Sequence, residues 1–165
     1  MKLTLEKTLE RYQRSVYKAA FSVCRNAADA EDIAQETFLA YYKNNRDFND
    51  EDHIKAWLIK VAINKARNMA VSFWKKQRID IPDFEAWLRE NQSEYQNELQ
   101  NRDVLKAVME LPEKQRIVIH LFYYEGYKAR EIAKLLDMKE GSIRVQLHRG
   151  RRMLREKLQE EWDYE

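Results

Sequence analysis

The chain has 165 residues, enough for one ordinary domain or two small ones, and a formal net charge of +2. Its one cysteine, Cys24, excludes an intramolecular disulfide, and the charged residues scattered through the first 25 positions exclude a secretory signal. No stretch approaches the roughly 18 uninterrupted apolar residues of a membrane span, so we expect a soluble, cytoplasmic protein without membrane insertion. Three glycines and two prolines interrupt a sequence rich in helix formers, which predicts an all-α fold.

Apolar residues recur at steps of three and four through the first third of the chain, as they do along one face of an amphipathic helix. They predict a first helix over about 4–24, with an inward face of Leu5, Leu9, Tyr12, Val16, Ala19 and Val23. A second helix starts at Asn26 or Asp29, either of which can cap it, and stops near the polar run 43–52. Its inward face is Ala30, Ile33, Ala34, Thr37, Phe38 and Tyr41.

The second helix also carries acids opposite its apolar face. Asp29, Asp32 and Glu36 align there, flanked by Gln35 and Leu39. Acids near a helix start favour the macrodipole and often have no other role. An acidic strip beside a DNA-binding surface would instead repel nucleic acid and attract a basic protein partner.

A third helix is predicted from about His53, with an inward face of Ile54, Leu58, Val61, Ala62 and Met69. Residues 55–78 hold seven Lys or Arg and no acid. At 100° per residue, one stripe of this helix collects Lys60, Asn64, Arg67, Trp74 and Arg78, with Asn68 and Lys75 alongside. Cations mixed with aromatic and amide side chains suit opened DNA, although Trp57, Phe73 and Trp74 could equally be core residues among solubilising lysines.

The helical pattern breaks at "IDIPDF" (79–84), where Pro82 disfavours helix and the charge changes sign. We predict an acidic, flexible linker over 79–97 between two small helical domains, 1–78 and 98–165. The second domain starts near Leu99, with Val104, Leu105, Val108 and Met109 inward. A helix over about 112–125 follows, with Ile117, Leu121 and Tyr124 inward, and then a short helix over 128–136 with Ile132, Ala133, Leu135 and Leu136 inward.

Residues 131–155 fit a helix-turn-helix motif, in which a short helix, a tight turn and a second helix cross closely. Ala133 is the small residue at the crossing, Asp137 takes the turn position where glycine is commonest, and Ser142 is the expected N-cap of the second helix. The predicted buried face of that helix is Ile143, Leu147, Gly150, Leu154 and Leu158.

The opposite face of the second helix is strongly basic. It presents Arg144, Val145, His148, Arg149, Arg151, Arg152 and Arg155 to solvent. Arg144, Val145 and His148, near the start of the helix, can reach base edges, and the later arginines are better placed for phosphates. A solvated basic face on a purely structural helix is the alternative, but the density of arginine favours DNA binding.

Four ordered segments resemble bacterial RNA polymerase sigma factors of the extracytoplasmic-function type. They are "DAEDIAQETFLAYY" (29–42), "WLIKVAINKARN" (57–68), "LPEKQR" (111–116) and "EGYKAREIAKLLDMKEGSIRVQLHRGRRMLR" (125–155). The resemblance extends over about residues 5–160 and implies a sigma-2-like and a sigma-4-like domain joined by the linker. The chain departs from the usual pattern at Val145, where a small hydroxyl residue is common, at Gly150, where Ala is common, and at Asn68, where a carboxylate is frequent.

The resemblance implies three binding surfaces. The core polymerase would be bound by Asp29, Asp32, Gln35, Glu36 and Leu39, with Phe38 supporting the helix from inside. The −10 promoter element would be read and opened by the loop 44–53 and by Lys60, Asn64, Lys65, Arg67, Asn68 and Trp74. The −35 element would be read by Ser142, Arg144, Val145, His148, Arg149, Arg151 and Arg152.

The implied function is an alternative sigma factor that binds core RNA polymerase and directs it to paired −35 and −10 elements. The three histidines stand apart in the sequence, and no nucleophile triad or metal-ligand spacing occurs, so we expect no catalysis, metal or cofactor. The family also implies an anti-sigma partner, and we expect a monomer when the protein is free. A stand-alone regulator on duplex operator DNA is the main alternative, and a protein-binding helical module is another; the first needs a dimer, for which no heptad seam is evident.

Overall fold

A computed structural model describes the backbone of residues 1–72 and 98–163, and the side chains of residues 1–69 and 102–159. Within these ranges every regular element is helical, which confirms the predicted all-α class. The chain divides into two compact units, Met1–Lys75 and Lys76–Glu165. The predicted linker 79–97 and Trp74 lie outside the described residues, so the predicted linker remains a prediction.

The first unit consists of three helices, each started by a side-chain cap. They are α1 (Leu5–Cys24), α2 (Ala27–Lys43) and α3 (Glu51–Ser72), and α1 packs against the other two. Asn26 caps α2 by accepting a 2.9 Å hydrogen bond from the Asp29 amide, which decides between the two predicted starts. Asp50 accepts likewise from the His53 amide, so α3 begins at Glu51, two residues before the predicted start.

The core of the first unit follows the predicted face of α2, where every predicted inward residue is buried, but α1 and α3 were predicted only in part. On α1, Val16, Ala19 and Val23 are buried as predicted, Leu5, Leu9 and Tyr12 are only partly buried, and the unpredicted Tyr17, Ala20 and Phe21 belong to the core. On α3, Val61 and Met69 are only partly buried, and the core positions belong to Ile54, Leu58, Ile59, Ala62, Ile63 and Ala66. The buried faces of α1 and α3 are therefore wider than a single stripe.

The described part of the second unit, residues 98–163, contains four α-helices and one π-helical turn. They are α4 (Glu98–Met109), α5 (Glu113–Ile119), the π-helix His120–Tyr124, α6 (Ala129–Leu136) and α7 (Glu140–Asp163). The predicted helix 112–125 is therefore one run that changes from α to π geometry at His120. Gly126, with a φ of 77°, turns the chain toward α6, a conformation that glycine adopts without steric cost.

The buried residues of the second unit come from every one of its helices. The fully buried large side chains include Leu105, Met109, Leu111 and Ile117, and Tyr124 is buried deeply enough that desolvation raises its pKa to about 12. Leu154 and Leu158, predicted to be buried, are only partly covered. They lie beyond the point where α7 crosses α5.

The crossing of α7 and α5 is unusually close at Gly150. A Cβ atom added there would lie 2.8 Å from Ile119 Cγ1 and 3.1 Å from Ile119 Cδ1. Glycine at this position therefore lets two buried helices approach more closely than an alanine would allow.

None of the described helices is both long enough and apolar enough to cross a membrane.

Candidate nucleic-acid interface

Helices α6 and α7 form the predicted helix-turn-helix. Asp137 adopts the left-handed conformation (φ 53°, ψ 47°) that ends α6, and the Met138 amide donates to the Ala133 carbonyl at 2.9 Å. Ala133 is buried on α6, and α6 packs against α7. The prediction for Asp137 is confirmed, and the predicted place of Ala133 at the crossing stays a prediction.

Ser142 was predicted to be the N-cap of α7, but the helix begins before it. The Ile143 amide donates to the Lys139 carbonyl at 3.2 Å, so the first turn of α7 already begins at Lys139. The turn after Asp137 is shorter than the sequence indicated, and Ser142 lies inside the first helical turn with its side chain partly exposed. It keeps a place at the amino-terminal end of the basic face, without a capping role.

The basic face of α7 is open to solvent along most of its length. Its exposed residues are Arg144, Val145, His148, Arg149, Arg152 and Arg155. The Arg144 guanidinium pairs with Glu140 at 2.7 Å, with 69% and 46% of the two side chains exposed. A pair of this kind, one helical turn apart on the surface, contributes only about 0.3–0.5 kcal/mol, so Arg144 can exchange Glu140 for another acceptor.

Arg151 was predicted to face solvent, but its side chain packs against aromatic rings. Its guanidinium carbon lies 5.5 Å from the ring centroid of Phe122 and 5.6 Å from that of Tyr123, and its Nε donates to the Tyr123 hydroxyl at 2.5 Å. The π-helical turn presents both rings to α7, and sequence periodicity gave no signal for this contact. Arg151 is therefore partly buried and anchored by aromatic side chains.

In the first unit, most of the predicted −10 residues of α3 share one face. Asn64 and Asn68 are exposed, and Lys60, Lys65 and Arg67 are partly exposed. Lys60, Asn64 and Arg67 are three, four or seven residues apart and lie on one side of the helix, Asn68 lies one turn beyond Asn64, and Lys65 lies farther round, where it contacts Glu36 of α2. Trp74, the aromatic member of the prediction, lies outside the described residues.

The loop between α2 and α3 lies next to the start of α3. We call residues 44–50 the α2–α3 loop. Its Phe48 is 5% exposed and its ring lies 5.9 Å from those of Tyr41 and Trp57, which fixes the middle of the loop to the core. The neighbouring polar side chains face solvent; they are Asn45, Arg46, Asp47 and Asn49.

The acidic face of α2 is also exposed. Asp32, Gln35, Glu36 and Leu39 face solvent and Asp29 is partly exposed. Tyr42, which the sequence reasoning did not include, extends this face, because it lies one turn beyond Leu39 and is 65% exposed. Large exposed apolar side chains beside acids are typical of a protein-binding surface.

The acidic face lies beside Lys65 of α3. The Glu36 carboxylate lies 3.9 Å from Lys65 Nζ, and both groups are partly exposed. In the described part of the chain no cluster of three or more His, Cys, Asp and Glu side chains could hold a metal ion.

Two family models match the chain, one in each unit. The model described as Sigma-70 region 2 matches residues 8–79, and the model described as Sigma-70, region 4 matches residues 101–154. The first covers α1 from Thr8, α2, the α2–α3 loop and α3, and the second extends from within α4 to Leu154 of α7, which carries the basic face.

Similar proteins extend over most of the chain. The "ECF RNA polymerase sigma factor SigW" of Bacillus subtilis (strain 168) is 28% identical over 165 residues, covering 90% of this chain and 86% of that protein. The "ECF RNA polymerase sigma-E factor" of Haemophilus influenzae is 28% identical over 153 residues, covering 83% of this chain and 77% of that protein. Both alignments extend into the two units of this chain.

Solved structures share the fold. The sigma factor RpoE of Bartonella quintana, solved in complex with the anti-sigma factor NepR, is 22% identical with a TM-score of 0.68, covering 93% of this chain and 96% of that chain. CnrH, solved with the cytosolic domain of CnrY, is 22% identical with a TM-score of 0.66, covering 94% and 87%. A stand-alone regulator with a single helix-turn-helix domain does not account for both matched regions. The chain belongs to the sigma-70 family, as an alternative sigma factor of the extracytoplasmic-function type that directs promoter-specific transcription by RNA polymerase.

Proposed function

We propose that the basic face of α7 reads the −35 element, with Arg144, Val145 and His148 at base edges and Arg149 and Arg152 on phosphates. The observation that carries this proposal is the exposure of these side chains on a helix that follows a helix-turn-helix turn. Arginine binds guanine or phosphate through two hydrogen bonds, and Val145, 45% exposed, can contact a thymine methyl group. Ser142 lies close enough to the helix start to contact the backbone. Arg151 is excluded from direct base contact in this proposal and orients α7 instead.

The −10 element is assigned to the first unit. Asn64 and Asn68 offer hydrogen-bonding edges to bases, while Lys60, Lys65 and Arg67 supply the charge that follows a DNA backbone. The polar side chains of the α2–α3 loop lie at the start of the same helix and can meet a base extruded from the opened strand. Trp74 belongs to this proposal as a stacking residue by its sequence position alone.

The acidic face of α2 is assigned to the core polymerase. Asp29, Asp32 and Glu36 present negative charge, and Leu39 with Tyr42 adds apolar area that a protein partner can cover. Gln35 lies between them and can donate or accept hydrogen bonds. Catalysis then belongs to the polymerase, and this chain supplies positioning and strand capture.

An anti-sigma protein is the second partner that we propose. RpoE, which shares this fold, was solved in complex with the anti-sigma factor NepR, and CnrH was solved in complex with the cytosolic domain of CnrY. A partner that covers the acidic face of α2 or the basic face of α7 would block polymerase or promoter binding. We further propose that the chain acts in the cytoplasm, where the polymerase is found.

The proposal is tested by transcription with core polymerase. The purified chain is mixed with sigma-free core enzyme and a library of promoter templates, and transcript starts are mapped by sequencing. We expect starts that share one −35 and one −10 sequence and that require both proteins. Starts that do not depend on the chain, or none from any template, would exclude the proposed function.

The core-binding surface has a charge-matched control on a different helix. Asp32→Lys places a cation in the acidic face of α2, whereas Glu10→Lys makes the same charge change at an exposed position of α1. We expect Asp32→Lys to weaken binding to core polymerase at least tenfold in a fluorescence titration and Glu10→Lys to have a much smaller effect. Equal losses would show that net charge, and not this face, determines core binding.

A further inference from the structure

The first three residues of the chain are hydrogen-bonded to the α2–α3 loop. We call residues 1–3 the N-terminal strap. The Phe48 amide donates to the Met1 carbonyl at 2.9 Å, and the Met1 nitrogen donates back to the Phe48 carbonyl at 2.8 Å. Reciprocal backbone hydrogen bonds of this kind fix the relative position of two extended segments. They join the strap to the loop at the one loop residue whose side chain is buried.

Side chains reinforce this attachment at Tyr41 and Asn44, which precede Phe48. The Tyr41 hydroxyl donates to the Leu3 carbonyl at 2.8 Å, and the Lys2 ammonium donates to the Asn44 carbonyl. The same ammonium lies 5.2 Å from the centroid of the Tyr41 ring, within the range of a cation–π contact. Tyr41 therefore contacts the strap through its hydroxyl and its ring, and it also packs against Phe48.

The attachment leaves the polar edge of the loop uncovered. The Arg46 amide donates to Asn44 Oδ1 at 2.7 Å, which forms a tight polar turn, and Asp50 caps α3 at the end of the loop. Between these two points Asn45, Arg46 and Asn49 remain exposed. The loop is thus bound to the strap along its backbone and through Asp47, which pairs with the Met1 nitrogen, and to the core through Phe48. The side chains of Asn45, Arg46 and Asn49 are available to a ligand.

We propose that the N-terminal strap and Tyr41 are positioning residues for −10 recognition: they hold the α2–α3 loop in the conformation in which Asn45, Arg46 and Asn49 can contact a base of the opened strand. This inference rests on the proposed assignment of the loop to the −10 element. A seven-residue loop that must order itself on binding loses conformational entropy at that moment, and a loop already held in place loses less. The strap supplies this order without contacting DNA.

Four full-length variants test the strap. Deletion of Lys2 and Leu3 places Met1 directly before Thr4, the N-cap of α1, so that Met1 can no longer reach Phe48. Lys2→Met removes only the ammonium, and Lys2→Arg keeps a cationic donor. Lys7→Met is the charge-matched control, because Lys7 is exposed on α1 and its backbone contact to Thr4 does not involve its side chain.

The first measurement is amide hydrogen exchange at Phe48, resolved by NMR. We expect the deletion to speed this exchange at least tenfold, because the amide loses its acceptor on Met1, while amides in the middle of α2 exchange at the wild-type rate. Lys7→Met should leave the Phe48 amide unchanged. Wild-type exchange at Phe48 in the deletion variant would overturn the proposal, because the strap would then not order the loop.

The second measurement is selectivity at the −10 element. The wild-type chain and each variant, bound to core polymerase, are titrated with fork DNA that carries the −10 sequence recovered from the promoter library or single-base substitutions of it. We expect the deletion to weaken binding of the recovered sequence about tenfold and to flatten discrimination at one −10 position, with a smaller loss in Lys2→Met and recovery in Lys2→Arg. Affinity for core polymerase should stay at the wild-type value.

The outcomes separate this proposal from the proposed function. If the wild-type chain supports specific starts but the deletion keeps full −10 selectivity, the strap proposal is wrong and the proposed function stands. A parallel loss of core binding and selectivity would also overturn it, since the strap would then be a general stabilising element. Absence of starts with the wild-type chain rejects the proposed function by itself.

Discussion

Gly150→Ala should destabilise the second unit, although alanine is a better helix former than glycine. The substitution gains about 1 kcal/mol from helix propensity. The new Cβ would, however, lie 2.8 Å from Ile119 Cγ1, well inside the roughly 3.5–4.0 Å of an optimal carbon–carbon contact. Ile119 is buried, so it cannot move away into solvent, and overpacking of a buried contact costs about 1–3 kcal/mol. We expect a net loss of about 1 kcal/mol in unfolding free energy.

Gly141→Ala provides a matched control in the same helix. A Cβ added at Gly141 meets no heavy atom within 4 Å, and the residue has no left-handed backbone that alanine would strain. The same substitution should therefore stabilise the second unit by about 0.5–1 kcal/mol. The two variants are predicted to differ in sign.

Native-state hydrogen exchange measures both variants in the full-length chain. The amides of Ile117, Val118 and Ile119 report unfolding of the second unit, and those of buried α1 residues report the first unit, so the two free energies are obtained separately. Ile119→Ala combined with Gly150→Ala removes the clash and should show a coupling energy of at least 0.5 kcal/mol in a double-mutant cycle. Stabilisation by Gly150→Ala equal to that by Gly141→Ala would refute the close-approach argument.

Three further predictions concern charged residues. Arg149→Ala should weaken binding to −35 duplex and make the slope of log affinity against log salt less negative by about 0.9, as measured by fluorescence anisotropy at several salt concentrations; an unchanged slope would exclude a phosphate contact. Arg151→Ala should lower the unfolding free energy of the second unit by about 1 kcal/mol, because it removes the ring contacts and the hydrogen bond to Tyr123. Tyr123→Phe should lower this free energy by less, and hydrogen exchange measures both variants. Hydrogen bonds from Arg11 and Tyr12 lower the pKa of the Glu51 carboxyl, so its stabilising effect is present above its unfolded pKa of about 4.3 and is lost as pH falls through the folded pKa. Glu51→Gln should accordingly lower the melting temperature at neutral pH and match the wild type in strong acid; a difference that persists in acid would contradict this linkage.

The fold was predictable from the sequence wherever a helix has one apolar face. The face of α2 was predicted residue by residue, and that of α6 except for the buried Ala129, because period 3.6 identifies the buried positions of an amphipathic helix. The faces of α1 and α3 were predicted incompletely, since buried residues such as Phe21 on α1 and Ile59 and Ile63 on α3 fall outside a single stripe. The start of a helix was predictable where its capping residue could be identified, as Asn26 was for α2. The cap of α3 at Asp50 and the early start of α7 depend on backbone geometry, which residue identity does not determine.

The candidate site was predictable as a set of charges, but its internal contacts were not. The arginines of residues 144–155 and the absence of acids over 55–78 predicted the two basic surfaces. Helical projection predicted the acidic face of α2. The contact between Arg151 and Tyr123 depends on a change of helix type at His120, which no periodicity reveals. The strap contacts join residues separated by about forty positions, and local sequence contains no signal for them.

The π-helical turn at His120–Tyr124 has a consequence for how the DNA-reading segment can be moved between proteins. Phe122 and Tyr123 support the middle of α7 from outside the helix-turn-helix, while the turn at Asp137 fixes only its beginning. A chimera that receives residues 129–155 alone would keep the arginines but lose the aromatic support that sets their direction. Grafting of promoter preference onto a related scaffold should therefore succeed only when the donor segment begins before the π-helical turn.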